Sequence, residues 1–309
     1  MKKAVTVFLT GLAFAASLFA NGTADTAKEA NPESKKITIG FAVSTLGNDF
    51  FVMMKNGGEE KAAELGVNLI TLDAQDSSEK QANQVSDFIT RKVDLIILNP
   101  CDSDACGTSV MAANAAGIPV ITVTRESKAG KVIQHLDIDN KEAGELVAKQ
   151  MIKDLKGSGK VAVLEGIPGA SSTNDRSQGF LDGIKGTNIK VVVSLSANYS
   201  RENGVTVTED ILQGHSDINA VYAHNDEMAL GAVRAIDAAG LTGKIKVYGI
   251  DAIDDAVTAL KNGEMTATVQ QQPKLQMETA VQNAADYLRG KTLESRVNIP
   301  LKLLTKDNI

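Results

Sequence analysis

The amino-acid sequence predicts an α/β protein made of two similar lobes, each built on a doubly wound parallel sheet. Short apolar runs alternate with segments of helical periodicity along most of the 309 residues. Such alternation is typical of βαβ units, whose right-handed crossovers produce parallel sheets. The predicted strands are too many for one sheet, and the chain length favours two domains. The natural boundary lies near Asp139, where one run of units ends and another begins.

The first predicted strand, 37–43, shows the pattern on which the strand predictions depend. Its apolar residues alternate and would share one face: Ile37, Ile39, Phe41 and Val43. Gly40 has no side chain to pack, which indicates close approach of a neighbouring helix or backbone. The first lobe continues with a helix from about Phe50 through Leu65, a strand at 67–72, a helix at 77–91, a strand at 93–98, a helix capped by Asp102 or Ser103, and a strand at 118–123.

The second predicted lobe repeats this alternation and begins with a helix at about 141–155. A tight turn at 157–159 leads into a strand at 160–164 and a helix at 172–184. The rest of this lobe is predicted as a strand at 191–197, a helix at 202–213, a strand at 218–223, a helix that opens at Asn225, a strand at 245–250, a helix ending at 260 and a strand at 267–270. A last helix at 274–288 precedes a short apolar tail.

The N-terminus carries the pattern of a secretory signal peptide at 1–20. Lys2 and Lys3 form a positively charged n-region, and an apolar run follows. Ala20 is a plausible last residue before the cleavage site. The run is short for a membrane span, which needs about 20 apolar residues. Residues 21–36 are polar and form a leader. We therefore expect an exported protein that is soluble after cleavage.

Composition argues against several classes of function. The net charge is −6 without any basic block, which does not suit nucleic-acid binding. Cys101 and Cys106 are the two cysteines, and their closeness in sequence favours reduced, partly buried thiols, although a disulfide stays open. No phosphate-binding glycine loop, dinucleotide fingerprint or Gly-x-Ser-x-Gly elbow occurs. The three histidines have no metal-ligand spacing, so neither a cofactor, a metal nor a catalytic residue is predicted.

Polar and aromatic residues recur where the predicted parallel strands end. In open α/β sheets, ligands bind in the crevice outside these ends. Amide, carboxylate and guanidinium groups can each grip adjacent hydroxyls, and aromatic rings offer flat apolar walls to a sugar. Asn225 also has a simpler interpretation as a helix N-cap. The strand-end residues are Ser44, Asn48, Phe50, Phe51, Asn99, Arg125, Arg176, Tyr199, Asn225, Asp251 and Gln271.

Four segments resemble a known family, the pentose- and hexose-binding periplasmic proteins of ABC transporters, and within it most closely the ribose-binding proteins. The segments are 43–51 (VSTLGNDFF), 99–105 (NPCDSDA), 118–122 (IPVIT) and 225–232 (NDEMALGA). The resemblance extends from about Lys36 to the C-terminus and implies two lobes joined by a three-strand hinge. It implies an N-terminal lobe of 37–138 plus 272–298 and a C-terminal lobe of 139–271 plus 299–309. It also places the strand-end residues on the two halves of a sugar pocket, with Gln271 at a hinge crossing.

Thr124 is where the sequence departs from the resemblance, because the ribose-binding proteins have Asp directly before the arginine of this loop. Thr124 therefore joins the predicted site, and either the ligand lacks the matching hydroxyl or a neighbour such as Glu126 compensates. A lost charged hydrogen bond costs about 1.5–3 kcal/mol. Ribose is the leading expected ligand. The alternative ligands are another pentose, a hexose, a polyol or an autoinducer-2-like molecule.

The resemblance also implies partners: a membrane ABC permease and, as a further candidate, a chemoreceptor. A monomer is the expected oligomeric state, and the periplasm the expected location. The sequence disfavours two other classes of protein. A transcription regulator's effector domain shares this fold, but a signal peptide stands where a DNA-binding head would be. An enzyme is disfavoured because no nucleophile–base pairing is evident.

Overall fold

The computed structural model of the protein describes residues 36–309. Within this range the chain forms two six-stranded sheets with helices packed on both faces. The predicted signal peptide and the predicted leader lie outside the described residues, except for Lys36. Among the helices from residue 36 onward, none is long and apolar enough to cross a membrane.

The first sheet combines five strands from the first part of the chain with one from near its end. Its strands are β1 (Thr38–Val43), β2 (Asn68–Asp73), β3 (Leu95–Leu98), β4 (Val120–Val123), β5 (Gln134–Asp137) and β11 (Arg296–Asn298). Their order is β11-β5-β4-β3-β1-β2, with all neighbours parallel. A Cβ on Gly40 of β1 would lie 2.7 Å from carbons of the Phe88 ring, so the predicted close approach is confirmed.

The second sheet has the same strand order as the first. Its strands are β6 (Ser158–Glu165), β7 (Asn188–Ser196), β8 (Ala220–Ala223), β9 (Lys246–Asp251), β10 (Ala267–Gln270) and β12 (Lys302–Thr305). Their order is β12-β10-β9-β8-β6-β7, and all pairs are parallel except β10 with β12. The matching order in the two sheets confirms the predicted fold class of two similar doubly wound lobes.

Helices cover both faces of each sheet and bury its apolar strands. Those on the first sheet are α1 (Asp49–Leu65), α2 (Ser78–Thr90), α3 (Cys106–Ala115) and α9 (Pro273–Leu288). Those on the second are α4 (Asn140–Asp154), α5 (Ser171–Gly183), α6 (Arg201–Gly214), α7 (Asp226–Ala238) and α8 (Asp254–Asn262). Helix α1 packs on α9, α2 on α3, α4 on α5 and α6 on α7. Because central strands such as β3 (LIIL) and β8 (AVYA) are covered on both sides, they are continuous apolar runs.

The chain passes between the two sheets three times. It leaves the first sheet after β5, returns after β10 and crosses again between β11 and β12. The carboxyl ends of the parallel strands therefore border a cleft between the lobes, close to the crossings.

Several predicted boundaries were wrong. Asp102 and Ser103 do not cap α3, which begins at Cys106 after Ala105; the Asp102 carboxylate instead accepts the N–H groups of Asp104 and Ala105 in the preceding turn. Ser158 and Gly159 belong to strand β6 rather than to a turn. Three short strands, β5, β11 and β12, were not predicted from the sequence.

Both cysteines are free and buried, as the sequence favoured. Burial raises the pKa of the Cys101 thiol to about 12 and raises that of Cys106 as well. Both groups are therefore protonated near neutral pH and behave as small apolar side chains.

Candidate functional site

A pocket lies in the cleft between the lobes, where the strands of both sheets end. It comprises about 320 Å³, part of it open to solvent. Ten of the twelve predicted site residues line it, together with Ser172, which the sequence analysis missed. The lining residues are Asn48, Phe50, Phe51, Thr124, Arg125, Ser172, Arg176, Tyr199, Asn225, Asp251 and Gln271.

The wall from the first lobe begins at the N-terminus of α1. The side chain of Asn48 caps this helix by accepting the N–H of Phe50 at 2.9 Å, which leaves its amide nitrogen free to donate. Phe50 and Phe51 follow in the first helical turn and meet edge to face, with ring centroids 5.1 Å apart. Both rings are buried beside the pocket, so the capped helix start holds an apolar wall next to a polar donor.

Arg125 follows strand β4 and lies between aromatic rings of the two lobes. Its guanidinium carbon is 5.7 Å from the Phe51 ring centroid and 5.5 Å from that of Tyr199. One guanidinium nitrogen, Nη1, donates to the carbonyls of Pro100 at 2.8 Å and Cys101 at 3.3 Å. These contacts hold a buried positive charge at the pocket and join the lobes by cation–π attraction.

Tyr199 supplies the aromatic wall of the second lobe. Its backbone is left-handed, with φ of 58°, and its ring lies directly over Gly166. A Cβ at Gly166 would overlap the ring, so only glycine allows this placement. The Tyr199 hydroxyl is bonded to those of Ser172 at 3.0 Å and Thr173 at 2.9 Å. The ring therefore has one fixed position.

Arg176 projects from α5 into the pocket and is only 5% exposed. Its Nε donates to Asn140 at 2.9 Å and its Nη1 donates to the His224 carbonyl at 2.5 Å. The other terminal nitrogen, Nη2, has no acceptor in residues 36–309, so it remains available to a ligand.

Acceptors come from the ends of β9 and β10. Asp251 accepts the Gln271 amide at 2.5 Å, and the Gln271 carbonyl oxygen, Oε1, is buried without a partner in the described chain. Burial raises the pKa of Asp251 well above its usual range, nearby Asp226 raises it further, and Arg176 lowers it. A ligand hydroxyl would therefore pair with acceptors that the protein leaves partly unsatisfied.

Asn225 has both roles considered from sequence. Its side-chain oxygen accepts the Met228 N–H at 3.0 Å and so caps α7. Its amide nitrogen donates to the Tyr199 carbonyl at 3.3 Å and lines the pocket.

The structure places two predicted residues, Ser44 and Asn99, behind the pocket rather than on its surface. Both are fully buried. The Asn99 oxygen accepts the Ser44 N–H at 3.1 Å, and its amide donates to the Val123 carbonyl and to the Thr124 hydroxyl. Asn99 thus orients Thr124, which has left-handed backbone with φ of 60°.

Glu126 does not line the pocket, so the suggestion that it compensates for Thr124 has no structural support. It is 49% exposed and pairs with Arg296 on β11. Its backbone N–H donates to the Ser171 hydroxyl at 3.3 Å, which joins the two lobes.

No histidine of the described chain lines the pocket. His224 lies behind Arg176, and burial lowers its pKa to about 3, so the ring is neutral. Among residues 36–309, no group of three or more His, Cys, Asp or Glu side chains is placed to hold a metal ion. The arrangement offers hydrogen bonds and flat apolar walls, and so defines a ligand-binding protein.

The chain belongs to the periplasmic binding protein family, whose domain pattern matches residues 39–292. It is similar over 307 residues to the ribose import binding protein RbsB of Bacillus subtilis, with 44% identity covering 99% of this chain and 100% of that one. The protein of the same name from Escherichia coli is 36% identical over 306 residues, covering 99% of each chain.

Solved structures show the same fold. A solute-binding protein of Actinobacillus succinogenes with bound D-allose is 35% identical, covers 88% of this chain and 99% of its own, and superposes with a TM-score of 0.84. A Caulobacter myo-inositol-binding protein with bound myo-inositol is 34% identical, covers 90% of this chain and 96% of its own, and has a TM-score of 0.85. The family is one of substrate-binding proteins, not enzymes.

Proposed function

We propose that this protein binds a monosaccharide, with D-ribose the leading candidate, and delivers it to the membrane permease of an ABC transporter. The observation that carries the proposal is the pocket itself. Aromatic walls from both lobes flank polar groups whose remaining hydrogen-bonding capacity the described chain does not use, notably Gln271 Oε1 and Arg176 Nη2. Buried polar groups normally have partners, so these groups favour a ligand rich in hydroxyls.

Capture follows from hinge closure of the two lobes. The proposed lobes are 37–138 plus 272–298 and 139–271 plus 299–309. Contacts already join their facing edges: the Ser171 N–H donates to Ser103 at 3.3 Å, and the Ser103 N–H donates to the Gly169 carbonyl at 3.4 Å. A sugar would bridge the lobes between Phe51 and Tyr199 and favour the closed form, which the permease would recognise.

Ribose is favoured because relatives named for it match nearly the full chain at 44% and 36% identity. The principal alternative is a hexose or polyol, since the neighbouring structures hold D-allose and myo-inositol. Thr124 is the residue at which this choice would be made, because its hydroxyl stands where the resembling ribose-binding proteins have a carboxylate.

Location and further partners belong to the same proposal. Residues 1–20 would direct export and residues 21–36 would form a leader of the mature, monomeric protein in the periplasm. A chemoreceptor is a second candidate partner for the closed form.

The test is a thermal-shift screen of the purified protein against D-ribose, D-allose, D-arabinose and myo-inositol. Binding to the folded state raises the melting temperature by mass action. The Arg125→Met variant should lose the shift, because it removes the charge between Phe51 and Tyr199. The matched control, Arg234→Met, changes an exposed residue of α7 and should keep it. A protein that no monosaccharide stabilises would contradict the proposal.

A further inference from the structure

We infer that Ser172 determines specificity in this pocket: its hydroxyl oxygen accepts a hydrogen bond from one ligand hydroxyl, and Tyr199 and Thr173 hold it in that role. The inference rests on the proposed function, that the cleft binds a monosaccharide. Ser172 lies in the first turn of α5, is 5% exposed and lines the pocket.

The three hydroxyls form a chain whose direction is fixed by counting protons. Thr173 donates its only hydroxyl proton to the Ile167 carbonyl at 2.9 Å, and a carbonyl can only accept. Thr173 must then accept from Tyr199 at 2.9 Å. That contact uses the Tyr199 proton, so in the remaining contact, at 3.0 Å, Ser172 donates to Tyr199.

This direction leaves Ser172 with lone pairs and no proton to offer the ligand. No protein donor in residues 36–309 contacts the Ser172 oxygen apart from the Tyr199 hydroxyl, whose proton is already committed. The oxygen therefore faces the pocket as an acceptor of fixed polarity. A sugar hydroxyl that donates satisfies it, whereas a deoxy position at the same place leaves a buried acceptor unpaired.

Tyr199 is the positioning residue of this chain. Its ring is held on Gly166, and its hydroxyl takes the Ser172 proton away from the pocket. Without the Tyr199 hydroxyl, Ser172 could rotate and donate to the ligand instead. The aromatic wall and the hydroxyl specificity are thus linked through one side chain.

The test compares Ser172→Ala and Tyr199→Phe with the unaltered protein by calorimetric titration of D-ribose and its 2-, 3- and 5-deoxy analogues. Ser86→Ala, at an exposed position of α2, is the matched control and should bind every sugar as the unaltered protein does. Ser172→Ala should weaken ribose binding by about three- to tenfold, as expected for one neutral hydrogen bond.

The decisive result is the pattern across the analogues. One deoxy sugar lacks the hydroxyl that donates to Ser172, and it should bind Ser172→Ala at least as tightly as it binds the unaltered protein, because the variant has no acceptor to leave unpaired. The other analogues should lose affinity for Ser172→Ala as ribose does. Tyr199→Phe should reduce the discrimination against that same analogue. Equal losses for all analogues, or no loss for any, would overturn the inference while leaving sugar binding intact. A protein that bound no monosaccharide would overturn both proposals.

Discussion

The Gly166→Ala substitution tests whether the placement of the Tyr199 ring controls ligand binding. The added Cβ would overlap three ring carbons, Cζ, Cε1 and Cε2, so the ring must move. A displaced ring weakens two hydroxyl contacts worth about 1 kcal/mol each and a cation–π contact with Arg125 worth about 0.5–2 kcal/mol. We expect the free energy of ligand binding to become less favourable by about 1.4–2.8 kcal/mol, which corresponds to about 10- to 100-fold weaker binding.

Calorimetric titration with the preferred sugar measures this effect, and urea unfolding measures the accompanying loss of stability, which we expect at about 1–3 kcal/mol from overpacking. The control is Gly214→Ala at the exposed end of α6, where a Cβ meets no atom within 4 Å. It should leave the affinity unchanged. If Gly166→Ala bound the sugar as tightly as the unaltered protein, the Tyr199 ring would not be part of the binding wall.

Three further predictions concern stability and specificity. Burial lowers the pKa of His224 from its ordinary value of about 6.5 to about 3, so between these pH values the unfolded chain binds a proton that the folded chain does not. The free energy of unfolding should therefore rise as the pH rises from about 3 to about 6.5, and urea unfolding of His224→Gln should lack this pH-dependent component. Ala252 has left-handed backbone, with φ of 59°, which is strained for alanine but not for glycine. Ala252→Gly should therefore raise the free energy of unfolding by about 0.5–1 kcal/mol in the same assay, and an unfolding free energy below that of the unaltered protein would refute the strain. Thr124→Asp adds an acceptor beside Arg125 and should tighten ribose binding about 10- to 100-fold by calorimetry; unchanged or weaker binding would exclude a ribose hydroxyl at this position.

Apolar periodicity predicted the strands that helices cover on both faces, because such strands must be continuous apolar runs. Apolar periodicity could not predict β5, because its buried residues are mostly polar and form hydrogen bonds. Gln134 donates to the Glu294 carbonyl at 2.9 Å and accepts from Asn283 at 2.8 Å, and His135 bonds to Thr122 at 2.8 Å. These partners lie up to 160 residues away in sequence, so no local pattern contains them.

The strand-end rule was sufficient to bring most of the pocket together, because parallel strands place their carboxyl ends on one edge. This rule does not predict whether a strand-end residue lies on the surface of the pocket or behind it. Ser44 and Asn99 end their strands like the other residues, yet they lie behind Thr124 and support it. Ser172 was missed because a serine near a helix start looks like an ordinary helix-terminal residue. Its neighbours Thr173 and Tyr199, also hydroxyl-bearing, were the available signal.

Asp226, which accepts a hydrogen bond from the turn after β9, shows a second limit of sequence reasoning. Asp226 appears as an ordinary acidic residue in the first turn of α7, yet it is fully buried and accepts from Thr268 at 2.7 Å and from the Ile253 N–H at 3.2 Å. Burial raises the pKa of Asp226 to about 7. Its carboxyl therefore fixes the turn that carries Asp251 into the pocket, a role visible only in three dimensions.

The most direct test of monosaccharide binding in this cleft is a calorimetric titration of the purified protein with D-ribose, followed by D-allose and myo-inositol. We expect saturable binding of one ligand molecule per chain, with ribose bound most tightly of the three. Tighter binding of allose or myo-inositol would support the proposed binding pocket but would show that it prefers a hexose or a polyol to ribose. The absence of saturable binding for all three sugars would contradict the claim that this cleft holds a monosaccharide between its lobes.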